Sequence, residues 1–416
     1  MKVSEDLAGK IDRYESYVRA DPGNPLLWMN LGDLYHKVSR FEEAIACFER
    51  CLHDHPEFAS ARSQLAAVMI SQHRFADAER LLRGLLLQGS GDSSSGAFNR
   101  GVSSSADPHG ADPALLFNLG LSLYYQKRWP EAERAFKDAQ SHGLTTPEGY
   151  AYLARCRHRA GDMEQAIHFG QQWADAAADA ESRGYLALLY MDQGDTTRAR
   201  QVAEQVLLSA PDNVDAGIVM GTASMEAQEI VRASEQFERI LAREPDNARA
   251  WLGIGLARLY QQRYEDAIAA LEKSVALIPD SVGIRVTLGW ATLTARDLAG
   301  AERVFREAIA VDHNFGEAHG GLASALALQS RIDEAREAAR LARRLDPHGF
   351  GSLFAQTVIL KLQGKDKAAT DILAGLLQQA PTPDGKTLIE QIEIFTRKNP
   401  VRSAPPPAKS QSGERQ

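Results

Sequence analysis

The densest group of side chains able to bind a metal ion is Cys47, Cys51, His53 and His55. Thiolates and imidazoles are ligands that zinc prefers, and residues four apart on a helix share one face. However, the sequence lacks the CxxC pairs of strong zinc motifs, and Cys51 falls at a small, regularly recurring position that is typical of a helical core. We therefore expect neither a metal site nor a cofactor.

Sequence signatures of common enzymes are missing as well. The chain has no GxxxxGKS or GxxxxGKT phosphate loop, no GxSxG nucleophile turn and no HExxH metal motif. Gly253 and Gly255 form an isolated GxG, but it lies within a helical pattern and follows no strand. Repeated segments leave little chain for a catalytic domain, so we expect a protein that is not an enzyme.

Composition and charge favour a soluble cytoplasmic protein. The net charge is −8 over 416 residues, whereas a nucleic-acid binder normally carries a basic stripe. Three cysteines are too few for a disulfide framework and fit a reducing compartment. The acidic N-terminal residues lack a signal-peptide pattern, and no apolar run has the length needed to cross a bilayer. We expect no nucleic-acid partner and no direct membrane insertion.

The chain is built from a repeated pattern about 34 residues long. Its clearest copy starts at Pro25 and places Trp28 at position 4, Gly32 at position 8, Ala44 at position 20 and Phe48 at position 24. The ten copies start at Pro25, Ala59, Pro113, Pro147, Ala180, Val214, Ala248, Val282, Gly316 and Phe350.

Small residues at positions 8 and 20 indicate two helices that approach each other closely. Large residues at positions 4, 7, 11 and 24 fill the space between them, and a proline at position 32 ends the second helix because it cannot continue it. Leucine in place of Gly289, at position 8, should overpack this contact. Gly351 lies off the pattern of small residues, so we expect it to tolerate leucine.

This arrangement resembles the tetratricopeptide repeat family, in a form similar to bacterial multi-repeat proteins. The resemblance covers about residues 25–383, with a serine-rich insert excluded. It implies an all-α fold: a right-handed superhelical solenoid of about ten helix-turn-helix units with capping helices. The first helices would line a concave groove, and the second helices would form the convex back.

The repeat boundaries divide the chain into six segments. We expect an N-terminal capping helix, two repeats, a flexible insert rich in Ser and Gly, eight further repeats, a C-terminal capping helix and a disordered tail. Their respective bounds are 1–22, 25–88, 89–112, 113–383, 384–398 and 399–416.

The resemblance also implies which side chains face a partner. Positions 2, 5, 6, 9, 12 and 13 of the first helices line the groove in this family, and here many are apolar, aromatic or arginine, as in the cores of interfaces. The candidate partner-binding residues are Phe117, Asn118, Leu121, Tyr124, Tyr125, Tyr152, Arg155, Arg159, Tyr185, Ile218, Leu252, Leu256, Tyr260 and Trp290. The alternative is that curvature of the solenoid buries some of them against neighbouring repeats.

The family's clamp of Lys and Asn residues, which grips a C-terminal carboxylate, does not match. Leu252 and Leu256 stand at positions 5 and 9 of the seventh repeat, and no three consecutive repeats carry the set. A co-chaperone that binds the tails of the major heat-shock chaperones is therefore not expected.

These observations predict a scaffold or adaptor that binds a helix or an extended peptide of a protein partner in its groove. Assembly of a bacterial secretion, pilus or polysaccharide system is one role that fits the resemblance. The alternatives are a holdase-type chaperone for apolar segments and a regulatory subunit of a separately encoded enzyme. A homo-oligomer is compatible with all three.

Overall fold

The computed structural model describes residues 2–56, 58–89 and 112–379, and within these ranges the secondary structure is helical with no strand. The all-α prediction is confirmed. The chain divides into two compact units, Met1–Gln193 and Gly194–Gln416.

The first unit contains ten helices. They are α1 Lys2–Ala20, α2 Pro25–Lys37, α3 Phe41–Asp54, α4 Ala59–Ser71, α5 Phe75–Gly89, α6 Pro113–Tyr125, α7 Trp129–Ser141, α8 Pro147–Arg159, α9 Met163–Ala177 and α10 Ala180–Gln193.

The described part of the second unit contains eleven helices. They are α11 Thr196–Ser209, α12 Val214–Glu226, α13 Ile230–Leu241, α14 Ala248–Tyr260, α15 Tyr264–Leu277, α16 Val282–Thr294, α17 Leu298–Val311, α18 Gly316–Leu328, α19 Ile332–Leu345, α20 Phe350–Leu362 and α21 Asp366–Gln379.

Each start of the sequence pattern is the first residue of an even-numbered helix, from α2 to α20. Within each unit a helix packs against the helix that precedes it and the helix that follows. Helix α1 packs on α2 and contributes Ile11 and Val18 to the core of the first repeats. Side chains such as Asn213 and Asn247 cap the following helix by accepting a hydrogen bond from a backbone N–H of its first turn.

Three of the predicted segments lie wholly or mainly outside the described residues. They are the serine-rich insert at 89–112, of which only Gly89 and Asp112 are described, the C-terminal capping helix at 384–398 and the tail at 399–416. The handedness of the superhelix and the number of repeat units stay predictions.

A left-handed residue at position 15 joins the two helices of every repeat. Three of these residues are glycines, such as Gly161 with φ 77°. The other seven residues are not glycine. Among them are Lys127 with φ 61°, Gln262 with φ 58° and Arg296 with φ 67°. A non-glycine residue in this region is strained by about 1–2 kcal/mol, so the turn geometry is imposed by the packing of the helices that it joins.

The glycine at position 8 faces the large side chain at position 24 of the same repeat. A Cβ atom built on Gly32 would lie 2.7 Å from Cε1 of Phe48, and one on Gly289 would lie 2.6 Å from Cε1 of Phe305. Both phenylalanines are completely buried. A methyl group cannot enter that space without moving a ring, so the predicted close approach is present.

In several repeats the side chain at position 4 donates a hydrogen bond to a backbone carbonyl of the loop that precedes the repeat. The indole Nε1 of Trp28 donates to the carbonyl of Pro22 at 2.8 Å, and Trp251 donates to Pro245 at 2.7 Å. Arg285 replaces the tryptophan and donates to Pro279 at 2.7 Å. The proline at position 32 therefore ends a helix and also presents its carbonyl to the next repeat.

Ionic networks connect neighbouring repeats on the second helices. Glu79 on α5 accepts hydrogen bonds from Gln126 at 2.9 Å and Arg128 at 2.7 Å, both in the turn after α6. In the second unit, Glu302 on α17 accepts from Arg331 at 2.7 Å in the same way. Burial acts to raise the pKa of Glu302, but the hydrogen bonds it accepts outweigh burial and lower that pKa, so the carboxylate stays ionised.

The prediction for Gly351 is wrong, because this residue lies where α18 and α20 cross. A Cβ on Gly351 would lie 3.0 Å from the carbonyl oxygen of Glu317, and one on Gly320 would lie 2.3 Å from the carbonyl carbon of Gly351. The two backbones are in direct contact, and leucine has no room there. Gly351 is therefore unsuitable as a neutral control for substitutions at position 8.

We predict that Gly289→Ala destabilises the protein by about 1–3 kcal/mol, because the new methyl group overpacks against Phe305. The matched control is Gly283→Ala on the same helix, where no atom lies within 4 Å of the added Cβ. Urea denaturation followed by circular dichroism measures both. Equal unfolding free energies for the two variants would contradict the close approach.

We predict that Gln262→Gly raises the unfolding free energy by up to about 1 kcal/mol, because glycine adopts a positive φ without steric strain. Its neighbour Gln261, with φ −82°, is the control, since glycine there adds backbone entropy to the unfolded chain and removes the hydrogen bond that Arg258 donates to the Gln261 side chain. Thermal denaturation compares the two variants. The turn is unstrained if Gln262→Gly is as destabilising as Gln261→Gly.

Candidate functional site

Five of the candidate residues come together in the first unit and form what we call the aromatic face: Tyr124, Tyr125, Tyr152, Arg155 and Tyr185. The Tyr124 ring lies 5.2 Å from the Tyr152 ring and 5.5 Å from the Tyr125 ring, both in edge-to-face geometry. These residues come from three consecutive first helices, α6, α8 and α10. The sequence pattern thus placed them on one surface correctly.

Core residues hold the rings of the aromatic face from beneath. Tyr152 stacks on the buried Phe136 at 5.3 Å, and Phe117 meets both rings edge-on. Tyr124 packs against Trp129 at 5.0 Å. Phe117, Tyr124 and Tyr152 are half-buried, so each is partly core and partly surface.

Arg155 lies among three aromatic rings. Its guanidinium carbon is 4.8 Å from the centre of the Trp173 ring, 5.4 Å from Tyr185 and 5.6 Å from Tyr152. Such cation–π contacts are worth about 0.5–2 kcal/mol, the larger values applying where water is excluded. Arg155 also forms an ion pair of 3.4 Å with Glu181, whose side chain is 72% exposed. The rings therefore fix the orientation of the cation, while its carboxylate partner stays in solvent.

A histidine positions the next ring along the face. The Nδ1 atom of His158 lies 2.9 Å from the hydroxyl of Tyr185, and its Nε2 atom lies 2.8 Å from a carboxylate oxygen of Asp192. With both ring nitrogens engaged, the imidazole holds Tyr185 beside Arg155. Arg159, one residue further along α8, is exposed at the edge of the same surface.

Two phenols of the aromatic face, those of Tyr124 and Tyr152, stay neutral well above physiological pH. Burial raises the pKa of Tyr152, and its hydrogen bond with Tyr125, at 3.3 Å between the hydroxyl oxygens, raises it further. Burial likewise raises the pKa of Tyr124. Arg155 and Arg159 bring positive charge to the face and Glu181 and Asp192 bring negative charge, and the ion pair of Arg155 with Glu181 shows that a carboxylate fits beside this arginine.

Two more predicted residues, Asn118 and Leu121, border this face on the side of Tyr125. Tyr125 is 47% exposed and stacks on Phe75 at 5.0 Å. Asn118 donates from Nδ2 to Ser63 on α4, and Leu121 is half-buried. The face therefore continues toward α4 as a more polar surface.

In the second unit one of the predicted residues is buried. Ile218 is only 3% exposed, so its assignment as a partner-binding residue is wrong: it belongs to the core of α12. Leu252 and Leu256 are half-buried, and Tyr260 is 44% exposed. For Ile218 the alternative expectation holds, since its side chain is buried within the protein.

Trp290 is engaged by its own chain. Its ring meets Phe350 at 5.3 Å and Phe354 at 5.6 Å, and its Nε1 atom donates to Glu317 at 3.2 Å. The eighth repeat thereby contacts the tenth directly. The ninth repeat carries Gly320 at position 5, and there the backbone of α18 approaches that of Gly351 on α20 directly.

Sequence reasoning missed four aromatic residues at these surfaces. Trp173 lies on the second helix α9, and Phe75 starts the second helix α5, so a rule for first helices could not find them. Phe354 stands at position 5 of the tenth repeat, where the same rule would have found it. Phe350 is the start of that repeat and is 44% exposed.

The cysteines and histidines near residue 50 do not assemble. Cys47 and Cys51 are buried, and desolvation raises the pKa of the Cys47 thiol to about 12. His53 binds Asp54, and His55 lies 3.3 Å from the carbonyl of Gly23. Among the residues that the structure describes, no cluster of three or more potential ligands could hold a metal ion. The described helices also include none with the length and hydropathy to cross a membrane.

Comparison with known sequences identifies the family. A sequence model described as tetratricopeptide repeat matches residues 11–56, 117–181, 218–282 and 286–350, which is more than half of the chain. Two further models of the same description match residues 36–96 and 180–210. The chain belongs to the tetratricopeptide repeat family, whose members bind other proteins through their stacked helices.

Individual relatives are distant. The peroxisomal targeting signal receptor of Saccharomyces cerevisiae is 34% identical over 84 residues, a match that spans 20% of this chain and 14% of that receptor. Yeast Tom70 aligns over 97% of this chain and 94% of its own, with a TM-score of 0.39 and 16% identity. The Cut9–Hcn1 hetero-tetramer of the APC/C aligns over 96% and 88%, with a TM-score of 0.49 and 11% identity.

We predict that Arg155→Ala lowers the unfolding free energy by about 1–2 kcal/mol, because three rings lose their contact with the guanidinium. Arg159→Ala, four residues along the same helix, changes it by less than about 0.5 kcal/mol, as is usual for an exposed side chain. Urea denaturation followed by tryptophan fluorescence reports both values, since Trp173 touches Arg155. Equal effects of the two substitutions would show that the aromatic rings do not hold Arg155.

Proposed function

We propose that this protein is a non-enzymatic adaptor that binds an acidic segment of a partner protein on the aromatic face of its first unit. The observation that carries the proposal is Arg155: three rings orient it, and its ion-pair partner is the exposed carboxylate of Glu181. A carboxylate of the partner can replace that of Glu181 without any change in the position of the arginine.

The composition of the face supports a partner segment with both apolar and acidic side chains. Half-buried tyrosines offer flat apolar area together with hydroxyl groups, a combination that interfaces favour. Arg155 and Arg159 supply positive charge on a chain whose net charge is −8. The partner segment would be a helix or an extended peptide that follows α6, α8 and α10.

The cellular setting of the adaptor is part of the same proposal. We propose a cytoplasmic protein that works in the assembly of a bacterial secretion, pilus or polysaccharide system. Affinity purification of the full chain, followed by mass spectrometry, tests this setting. A single stoichiometric component of such a system supports it, many unrelated clients favour the holdase-type chaperone, and a single enzyme favours the regulatory subunit.

We predict that Tyr125→Ser combined with Arg159→Glu weakens binding of the purified partner at least tenfold, or about 1.4 kcal/mol. Both side chains are exposed, so the fold should persist. Tyr124 and Tyr152 are unsuitable for this test, because their rings also pack on Trp129 and Phe136.

The control for this measurement is Arg239→Glu, a charge reversal of an exposed residue on the second helix α13. Isothermal titration calorimetry at about 0.1 M salt compares the three proteins, because surface charges are screened strongly at higher salt. The proposed site is wrong if the double variant binds as tightly as the control variant.

A further inference from the structure

A cleft of about 260 Å³ lies in the second unit between the second helices α15 and α17, and the first helix α16 also lines it. Its apolar walls include Ile268, Val275 and Val304. Every side chain of these three helices is described, and each helix packs directly on the next one in the chain. The opening is therefore a feature of well-defined helices, and a long, narrow side chain can enter it from solvent.

At two other places in the chain an arginine at position 11 of a first helix pairs with a glutamate of the preceding second helix. Arg258 on α14 lies 2.8 Å from Glu238 on α13, and Arg157 on α8 pairs with Glu133 on α7. The two arginine side chains are only 19% and 26% exposed. The protein itself thus shows that an arginine side chain fits between a first helix and the second helix before it.

In the fourth repeat this arginine has a further acidic partner at position 16. The Oδ1 atom of Asp162 caps α9 by accepting a hydrogen bond from the backbone N–H of Gln165 at 3.2 Å. Its Oδ2 atom accepts from Arg157 at 2.9 Å. An aspartate at position 16 can therefore cap a helix and bind a guanidinium at the same time.

The eighth repeat lacks the arginine at position 11. Thr292 stands there, is buried and donates to the backbone carbonyl of Leu288. Glu272, at position 25 of the seventh repeat, corresponds to Glu238 of the sixth and lines the cleft. Glu272 is exposed, and within the described part of the chain no arginine or lysine forms an ion pair with it. One of the two kinds of acidic partner is therefore present without its cation.

The second kind of acidic partner is present as well. Asp297 stands at position 16 of the eighth repeat and lines the cleft, as Asp162 stands at position 16 of the fourth. Its Oδ1 atom caps α17 by accepting from the backbone N–H of Gly300 at 2.9 Å. No described residue donates a hydrogen bond to its Oδ2 atom. This oxygen corresponds to the one that Arg157 contacts in the fourth repeat.

The other charged groups of the lining are paired with one another. Arg285 and Arg303 both donate to Glu307, at 3.3 Å and 3.0 Å. Three carboxylates and two arginines line the cleft, which leaves one excess negative charge. Negative charge beside apolar walls suits a side chain that has an aliphatic stem and a cationic head.

We infer that the cleft between α15 and α17 binds an arginine side chain of a partner protein. The guanidinium pairs with Glu272 and Asp297, and the aliphatic stem lies along Ile268 and Val304. Arginine suits this site better than lysine does, because its planar head presents several fixed donors to two carboxylates at once.

This site is separate from the aromatic face in position and in chemistry. It lies on second helices of the second unit and binds a cation, whereas the aromatic face lies on first helices of the first unit and is proposed to bind an acidic segment. Neither proposal depends on the other, and failure of one leaves the other intact.

Methyl resonances of the full chain test the site with a short capped peptide that contains a single arginine. At equal concentration, this peptide should shift the methyl signals of Ile268 and Val304 at least about fivefold more than the same peptide with citrulline, a neutral isostere of arginine. Glu272→Gln should reduce the shift by a similar factor. Glu265→Gln, an exposed residue of the same helix outside the cleft lining, should leave it unchanged. Equal shifts for the two peptides would overturn the inference.

Thr292→Arg should supply the missing side chain from within the chain. It should abolish the shifts caused by the peptide, because its own guanidinium then lies beside Glu272. Adding Glu272→Gln to this variant should raise the unfolding equilibrium constant at least about fivefold. In the wild-type background Glu272→Gln should change that constant less than about twofold, as is usual for an exposed side chain. Equal effects in the two backgrounds would contradict an arginine site, and the peptide titration does not depend on this variant.

Two further results would assign the cleft to another occupant. If Glu272→Gln alone destabilises the chain at least about fivefold in the absence of peptide, a cation of the same chain fills the cleft. If Glu272→Gln lowers the mass of the wild-type protein in analytical ultracentrifugation, a second copy of the chain fills it. Either result would overturn the proposal that a partner supplies the arginine.

Discussion

The close approach of the two helices of a repeat, which a small residue at position 8 allows, is the constraint on which the rest of the fold depends. In the first repeat the Phe48 ring lies so close to Gly32 that a single methyl group would overlap it. The closeness of the two helices sets the length of the turn between them and forces its residue at position 15 into the left-handed region. Seven of those residues are not glycine, so packing overrides local preference there. Tyr152, Arg155 and Tyr185 stand at first-helix positions 6 and 9 of the fourth and fifth repeats, which carry alanine at position 8, and they meet where the first helices of these two repeats lie side by side.

Repeats that depart from the sequence pattern differ in how much of their first-helix surface is accessible to a partner. In the first unit large side chains occupy the groove positions of α6, α8 and α10, and their rings support one another while leaving Tyr125 and Arg159 exposed. In the second unit the ninth repeat has glycine at Gly320 and Gly321, so α18 has no side chain at positions 5 and 6, and Glu317 of the same helix accepts hydrogen bonds from Trp290 and from the backbone of Gly351. Trp290 packs on Phe350 and Phe354, so side chains of the protein itself cover this part of the first-helix surface.

The sequence predicted the all-helical fold, the paired helices and the first residue of each first helix, because these depend on local spacing and on small residues at fixed positions. It also predicted that Tyr124, Tyr152 and Arg155 share a surface, since they stand at groove-lining positions 12, 6 and 9 of two adjacent repeats. It could not predict the burial of Ile218 or the contact of Trp290 with the tenth repeat, because both depend on how far individual helices approach. It also could not predict the role of Trp173, because this residue lies on a second helix and joins the surface through its contact with Arg155.

The most direct test of this account is a double-mutant cycle on Gly32 and Phe48, a pair in which the three atoms nearest to an added Cβ all belong to the phenylalanine ring. Unfolding free energies are measured for the wild type, Gly32→Ala, Phe48→Ala and the double variant. The account predicts that Gly32→Ala is destabilising in the wild type and neutral or stabilising when Phe48 is alanine, with a coupling of at least about 1 kcal/mol. A coupling near zero would show that the glycine is not required by the ring, and would contradict the account.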